Sequence, residues 1–378
     1  MPNTLTGLIP TLYEAVDVVS RELVGFIPAV TLDADASRAA LNQTVSAFQT
    51  QAGTASDITP AVTPPDDGDQ TVGNTGITIT KARRVPVRWN GEQTLGANSG
   101  PGKNNILRDQ FAQAMRTLVN EVEADLAALY YRASRAYGTA GTTPFATDLS
   151  DPANVLKILQ DNGAPLGDLQ LVINTTAGAK LRTLGQLTKA NEAGSTDLLR
   201  RGVLLDLHGF AVRESAKVKQ VTKGTGAAYQ SNLLAGYATG ATTLAVDTGN
   251  GTVLAGDIVT FNGDTNKYVV GTALNAGSLS INAPGLIQTL ADNVAMTVGN
   301  NFAANMAFAR SAIRLATRAP ALPEQGDLAI DRMMVTDPVS GLTFEISVYL
   351  QYRQVQYEVA LAWGVSCDKP EHTTILLG

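Results

Sequence analysis

The chain of 378 residues has one cysteine, Cys367, and two histidines, His208 and His372. A single thiol excludes an intrachain disulfide, and with it a small secreted scaffold held by cross-links. One thiol and two separated imidazoles cannot build a tetrahedral zinc site, and the sequence has no Cys-x-x-Cys. A Ser–His–Asp or Cys–His catalyst would have to use His208, in a turn before Gly209, or His372, in the last seven residues; neither lies in a nucleophile motif. Charge is scarce as well. Asp, Glu, Lys and Arg make up 16% of the chain, against about 25% in ordinary soluble domains, so neighbouring subunits are expected to cover part of the surface. The formal net charge is −6 and no long basic run occurs, so the basic face that grips nucleic-acid phosphates is missing. No run of about 18 apolar residues is present, which leaves no helix suited to spanning a membrane. The first residues lack the basic opening of a signal peptide, and Glu14 and Asp17 interrupt their apolar positions. The expectation is a cytoplasmic protein with no membrane partner, no metal, no cofactor and no catalytic residue.

Apolar residues are 44% of the chain, enough for a substantial core, and at about 150 residues per domain the length predicts two or three domains. Residues 4–30 carry helical spacing through Leu8, Leu12, Val16, Val19 and Leu23, ending at Pro28. Residues 50–76 hold almost no large apolar side chain. ITITKARRVPVRW (77–89) has strand composition, and Pro86 marks it as an edge strand. With the turn-rich NGEQTLGANSGPGKN (90–104), the spacing predicts a long two-stranded arm over 53–103. Residues 105–137 predict one long helix: Leu107, Phe111, Met115, Leu118, Val122, Leu126, Leu129 and Ala133 step by three or four up to Gly138. Such a helix would be about 50 Å long. Arg108, Arg116, Glu121, Glu123, Asp125 and Arg132 on its other face suit a solvated or intersubunit surface.

Helices are expected at 151–162, 175–188 and 302–316, a buried strand at 169–175, and two strands through Gly209 over 202–215. From 225 to 299 Lys267 is the only basic residue, and short strands alternate with turns. That pattern predicts a small inserted all-β barrel or sandwich with Ile258, Phe261, Val269, Leu279, Ile281 and Val298 in its core. Strands at 328–336, 342–352 and 355–365 follow.

Several motifs resemble sites and fail in detail. SGPGKN (99–104) lacks the first glycine and the hydroxyl of a phosphate loop, and reads as a hinge. GTGAAY (224–229) lacks the third glycine of a dinucleotide loop. Asp66, Asp67 and Asp69 lack the alternation and distal Glu of a calcium loop. Lys81, Arg83, Arg84 and Arg88 form a local basic cluster, expected to pair with carboxylates of a neighbouring subunit.

An acidic, charge-poor chain with a projecting arm, a long helix and a β insert, but no catalytic constellation, suggests a protein that tiles. VRWNGEQTL (87–95), LQLVINTTAGAKL (169–181), LHGFAVRESAKV (207–218), VLAGDIVTFNGD (253–264), NMAFARSAIRLATRAPALP (305–323) and EVALAWGVSCDKPE (358–371) resemble, in this order, segments of tailed-phage major capsid proteins of the phage P-twenty-two type. The resemblance implies an α+β Hong Kong-type capsid fold. Its parts would be an N-terminal arm (1–52), an extended loop (53–103), a peripheral domain with the spine helix (104–150), an apical domain (151–224), an inserted β-barrel-like domain (225–299), the apical domain continued (300–326), and peripheral strands with the C-terminal tail (327–378). It further implies self-association as hexamers and pentamers in an icosahedral virion capsid, assembled in the host bacterial cytoplasm. That shell would enclose double-stranded DNA without sequence-specific binding. A portal and a separate scaffolding protein are implied partners, since no sustained heptads precede the loop. The insert is expected on the outer surface of the shell. AYQSNLLAGYATGA (228–241) is short and uncharged where relatives carry a bridging loop. Lys81 and Lys103 lie in or near the loop, and no cross-link through them is expected. The alternatives are an encapsulin-like nanocompartment shell, which the β insert disfavours, a β-rich surface-binding protein, and, remotely, a hydrolase.

Overall fold

The computed structural model describes residues 23–49, 53, 55–63, 68, 73–98, 103–188, 206–337 and 340–378. Most of the expected helix at 4–30, the acidic residues 66, 67 and 69, the hinge glycines 100 and 102 and the first strand at 202–205 lie outside them. The described part is mixed α and β, with strands numbered here in chain order.

One wall is a six-stranded sheet built around β19 (Gln354–Cys367). β4 (Lys81–Asn90) pairs along one edge of β19, from Asn90 opposite Gln354 to Lys81 opposite Trp363. The other edge is shared by β16 (Ile313–Pro320), opposite 362–367, and β18 (Thr343–Gln351), opposite 354–360. β1 (Thr31–Ala39) runs parallel to β16, and β17 (Ala329–Thr336) ends the sheet beyond β18. Pro86 in β4 removes no ladder bond because its strand lies at an edge, as the sequence predicts. In β18 the apolar alternates Phe344, Ile346 and Val348 are buried, but so are Glu345 and Ser347 between them. Both faces of β18 are therefore covered over 344–348.

Helix α1 (Gly91–Asn98) leads into α2 (Lys103–Ala127), which lies across β4 and β19. The stripe of Leu107, Phe111, Met115, Leu118, Val122 and Leu126 packs with Phe344, Ile346, Leu361 and Trp363 in the largest core. The helix is shorter than the spacing predicts. Its 25 residues span about 38 Å. Ala128–Arg132 tighten into a 3-10 turn, and Arg135–Tyr137 leave as strand β5. Ala133 and Ala136 are buried there between strands. Strand pairing on both sides outweighs alanine's helical preference. Leu118 is 1% exposed, so Leu118→Ala should cost about 3 kcal/mol in urea unfolding of the subunit, within the range for well-packed leucines. A loss below about 1 kcal/mol would mean that the stripe does not face a tight core.

The second body is one run of pairings. β6 (Leu169–Ile173), β15 (Phe302–Ala309), β20 (Thr373–Leu377) and β5 form an open sheet, with β7 (Phe210–Glu214) at its end and β8 (Gln220–Val221) against β15. Helices α3 (Ser150–Asp161), α4 (Thr175–Arg182) and α5 (Gly185–Thr188) accompany it. The helix expected at 302–316 is wrong. β15 occupies 302–309 and β16 begins at 313, with Arg310–Ala312 carrying the chain from one sheet to the other. All eight residues of β15 are buried, and a central strand covered on both faces loses the period-2 signature. Only one strand of the expected pair at 202–215 falls among the described residues, and His208 and Gly209 form the turn before it at φ 50° and 82°.

From 225 to 299 a strand not expected from the sequence, β9 (Tyr229–Ser231), lies in the segment read as a loop, and the five expected strands follow: β10 (Thr243–Asp247), β11 (Ile258–Phe261), β12 (Lys267–Asn275), β13 (Ser278–Ile281) and β14 (Ala295–Val298). Their ladders close on themselves in the order β11-β14-β9-β10-β13-β12 and back to β11, a small antiparallel barrel. Phe261, Leu279, Ile281 and Val298 lie in its core as expected. Ile258 and Val269 do not. They point to Phe302, Ala304 and Ile375 of the open sheet, because β12 also pairs with β5 at Lys267 and Tyr268.

Candidate functional site

The feature that the six-stranded sheet does not absorb is a hairpin. Among the described residues β2 (Thr44–Gln49) pairs only with β3 (Gly73–Thr78), in register from Thr44 opposite Thr78 to Gln49 opposite Gly73. The two-stranded arm therefore starts earlier and is narrower than the 53–103 of the sequence reading. Residues 81–98 belong to β4 and α1 because Val85, Val87 and Trp89 pack on the main core.

The base of the hairpin is anchored. Ile77 and Ile79 are buried with Ala39, Ala316 and Ala362. Gly364 of β19 lets the hairpin backbone come close, since a Cβ there would collide with the carbonyl oxygen of Thr78. Its far end is bare. Residues 55–63 are exposed, and Ile58 and Val62 have essentially no cover at all. A second apolar surface lies on edge strand β17, where Leu328, Ile330 and Met334 are exposed, with Leu350 and Tyr352 at the neighbouring turn. Uncovered apolar groups on an edge and on a projecting tip mark surfaces for association.

The basic cluster beside the arm is not free for a partner, contrary to the sequence expectation. Lys81 Nζ lies 2.7 Å from Asp125, Arg83 is 3.4 Å from Glu121, and Arg84 is 2.6 Å from Glu358. All these carboxylates belong to the same chain, on α2 and β19. Asp125 also accepts the Trp363 indole N–H at 2.8 Å, and Lys81 lies over that ring. Arg88 is exposed on β4 and outside these pairs.

Glu123 does not belong to an open helix face, contrary to the sequence expectation. It is 1% exposed. Oε1 accepts the backbone N–H groups of Gly25 and Phe26 at 2.7 and 2.8 Å and the Ser215 hydroxyl at 2.7 Å; Oε2 accepts the Ile27 N–H at 3.0 Å. Successive N–H groups of a tight turn make a ready anion cradle. One side chain thus ties the N-terminal segment to α2 and to the end of β7.

The other sequence candidates do not converge. His208 is exposed at its turn. His372 has a buried Nδ1 without a partner, and burial lowers its pKa from the ordinary value. Gly224 donates its N–H to the Asp257 carboxylate of the barrel, and a Cβ there would collide with the Thr252 carbonyl oxygen, so this glycine serves a close approach of two segments. Among the described residues no group of three or more His, Cys, Asp or Glu could hold a metal. No helix among them is long and apolar enough to cross a membrane. Burial pushes the Cys367 thiol up to about 11. At pH 8 it should react with an aromatic disulfide reagent roughly a hundredfold more slowly than an ordinary thiol, and at the ordinary rate after unfolding in urea. Fast reaction of the native protein would place the thiol in solvent.

No family model matches the chain, and no curated protein matches it. Among solved structures, it is similar to a chain of Mycobacterium phage Che8 at 14% identity, covering 89% of this chain and 84% of that one with a TM-score of 0.47. It is similar to a chain of the capsid of cyanophage P-SCSP1u at 11% identity, covering 92% and 86% with a TM-score of 0.47. It is also similar to a virus-like particle from Pyrococcus furiosus at 10% identity, covering 98% and 99% with a TM-score of 0.45.

Proposed function

We propose that the chain is the major capsid protein of a tailed phage, assembling as hexamers and pentamers into an icosahedral shell around double-stranded DNA. The observation that carries this is the β2–β3 hairpin. It is fixed to the sheet at its base, pairs with no other strand among the described residues, and carries fully exposed Ile58 and Val62. Such an arm gains stability only by lying on another subunit. The sequence resemblance assigns it the part of the extended loop, α2 the spine helix, the open sheet the apical domain, and the barrel the inserted domain on the outer surface. Ion pairing of the basic residues beside the arm within the chain, with a net charge of −6, suits a wall that does not trap DNA during packaging. A scaffolding protein and a portal would complete the assembly.

The test is negative-stain electron microscopy of the expressed chain, followed by nuclease treatment of shells taken from phage-producing cells. Closed shells holding nuclease-resistant DNA are expected. Small discrete particles under all assembly conditions would refute the reading, and shells filled with an enzyme would point to a nanocompartment.

A further inference from the structure

A cavity of about 470 Å³ with a mixed polar and apolar lining opens where the barrel meets the open sheet, between β5, α3 and the turn before β12. The shell-forming reading makes no use of it. Arg135, Lys157 and Lys267 bring three cations to its wall, with Asn154, Asn266 and Thr139. Arg135 is 3% exposed. Its Nη1 donates to Asn266 Oδ1 at 3.1 Å, and its Nη2 to Asn162 Oδ1 at 2.9 Å and the Ile158 carbonyl at 3.4 Å. Its Nε is buried with no partner. The Nε atoms of Arg310 and Arg332 are likewise buried without a hydrogen bond, so what sets Arg135 apart is its place on the cavity wall. Lys267 donates to the Gly138 carbonyl, and burial lowers its pKa.

Two carboxylates face this group. Asp161 lies 4.0 Å from Arg135 and 3.0 Å from Lys157. Asp264 is taken up by the Tyr268 hydroxyl at 2.6 Å and by the backbone and side-chain N–H groups of Asn266 at 2.8 and 2.7 Å. Three cations against two anions leave a positive excess in a concave, partly desolvated site, where it acts strongly on a small anion.

We propose that this cavity binds an oxyanion of the phosphate type, either free inorganic phosphate or the phosphate group of a small organic phosphate. Lys267 Nζ, half-buried on the wall, is the donor; the buried Arg135 guanidinium supplies positive charge behind it, and Lys157 is the exposed cation at the rim. The volume lies in the range of small-molecule sites, so a phosphate carried on a nucleotide-sized body is accommodated. The ligand would sit beside the short ladder that joins Lys267 and Tyr268 to Ala136 and Arg135, and would brace the barrel against the open sheet.

Isothermal titration of the full-length subunit with inorganic phosphate and with a nucleoside monophosphate, at constant ionic strength set by chloride, tests this. Saturable binding of at least one is expected, with a shift of the Arg135 Nε–H resonance. Phosphate binding as well as the monophosphate assigns the site to the free ion; tighter monophosphate binding assigns it to the carried group. Lys267→Gln should weaken binding about tenfold or more, the worth of one charge-assisted hydrogen bond. Lys157→Gln, on the exposed rim, should weaken it severalfold and serves if Lys267→Gln does not fold. No saturation by either ligand below about 10 mM, a weak-affinity limit on the usual free-energy scale, would overturn the proposal. So would binding untouched by the lysine changes, or an equal resonance shift with chloride.

Discussion

Glu123→Leu should leave the subunit close to unfolded at room temperature. The substitution strands three backbone N–H groups, of Gly25, Phe26 and Ile27, and the hydroxyl of Ser215 in a buried place. Each stranded donor costs about 1–3 kcal/mol, and relief from desolvating the carboxylate returns part of the sum. A net loss of about 4–5 kcal/mol is expected, at the severe end for single substitutions. Glu123→Gln keeps one carbonyl oxygen but turns an amide donor toward the cradle, so its loss should fall between. Urea unfolding of the unassembled subunit, followed by circular dichroism, measures both. A loss for Glu123→Leu under about 1 kcal/mol would show that the cradle does not hold the N-terminal segment.

The second large effect should appear in assembly and not in folding. Ile58→Asp together with Val62→Asp changes two side chains that are fully exposed in the subunit. Surface changes of this kind alter subunit stability by about 0.5 kcal/mol or less. In a shell the same positions would lie against a neighbour, and an unpaired charge buried there costs several kcal/mol at each of hundreds of repeated contacts. Shell yield in light scattering and microscopy should fall to background, with urea unfolding unchanged. Normal shells from this variant would remove the tip from the interface.

The barrel strands β10 to β14 and the pair β18–β19 were legible in the sequence. Their apolar residues alternate, and Asp, Gly and Asn mark the turns between them. The stripe of α2 was legible up to Leu126 for the same reason, a single buried face at period 3.6. Three things were not. β15 reads as a helix because FAANMAFA is alanine-rich and has no polar alternates, a consequence of being buried on both faces. The end of α2 was hidden because Ala133 and Ala136 favour a helix locally, and only the partners of Ala136, Lys267 and Ile375, more than a hundred residues away, make it strand. Glu123 looks like Glu121 and Asp125 beside it. What sets it apart is a turn of backbone N–H groups 96–98 residues earlier, which no side-chain pattern announces. The basic cluster at 81–88 was visible as charge, but its partners were assigned to another subunit because the register of β4 along β19, with α2 across both, was not readable locally.

The most direct test of the account is a cryo-electron microscopy map of the assembled shell at side-chain resolution. The account predicts that the hairpin 44–78 lies across an adjacent subunit with Ile58 and Val62 covered by it, while its base stays on Ile77, Ile79 and Gly364 of its own chain. A hairpin folded back on its own subunit, or standing free in solvent with those two side chains bare, would contradict it.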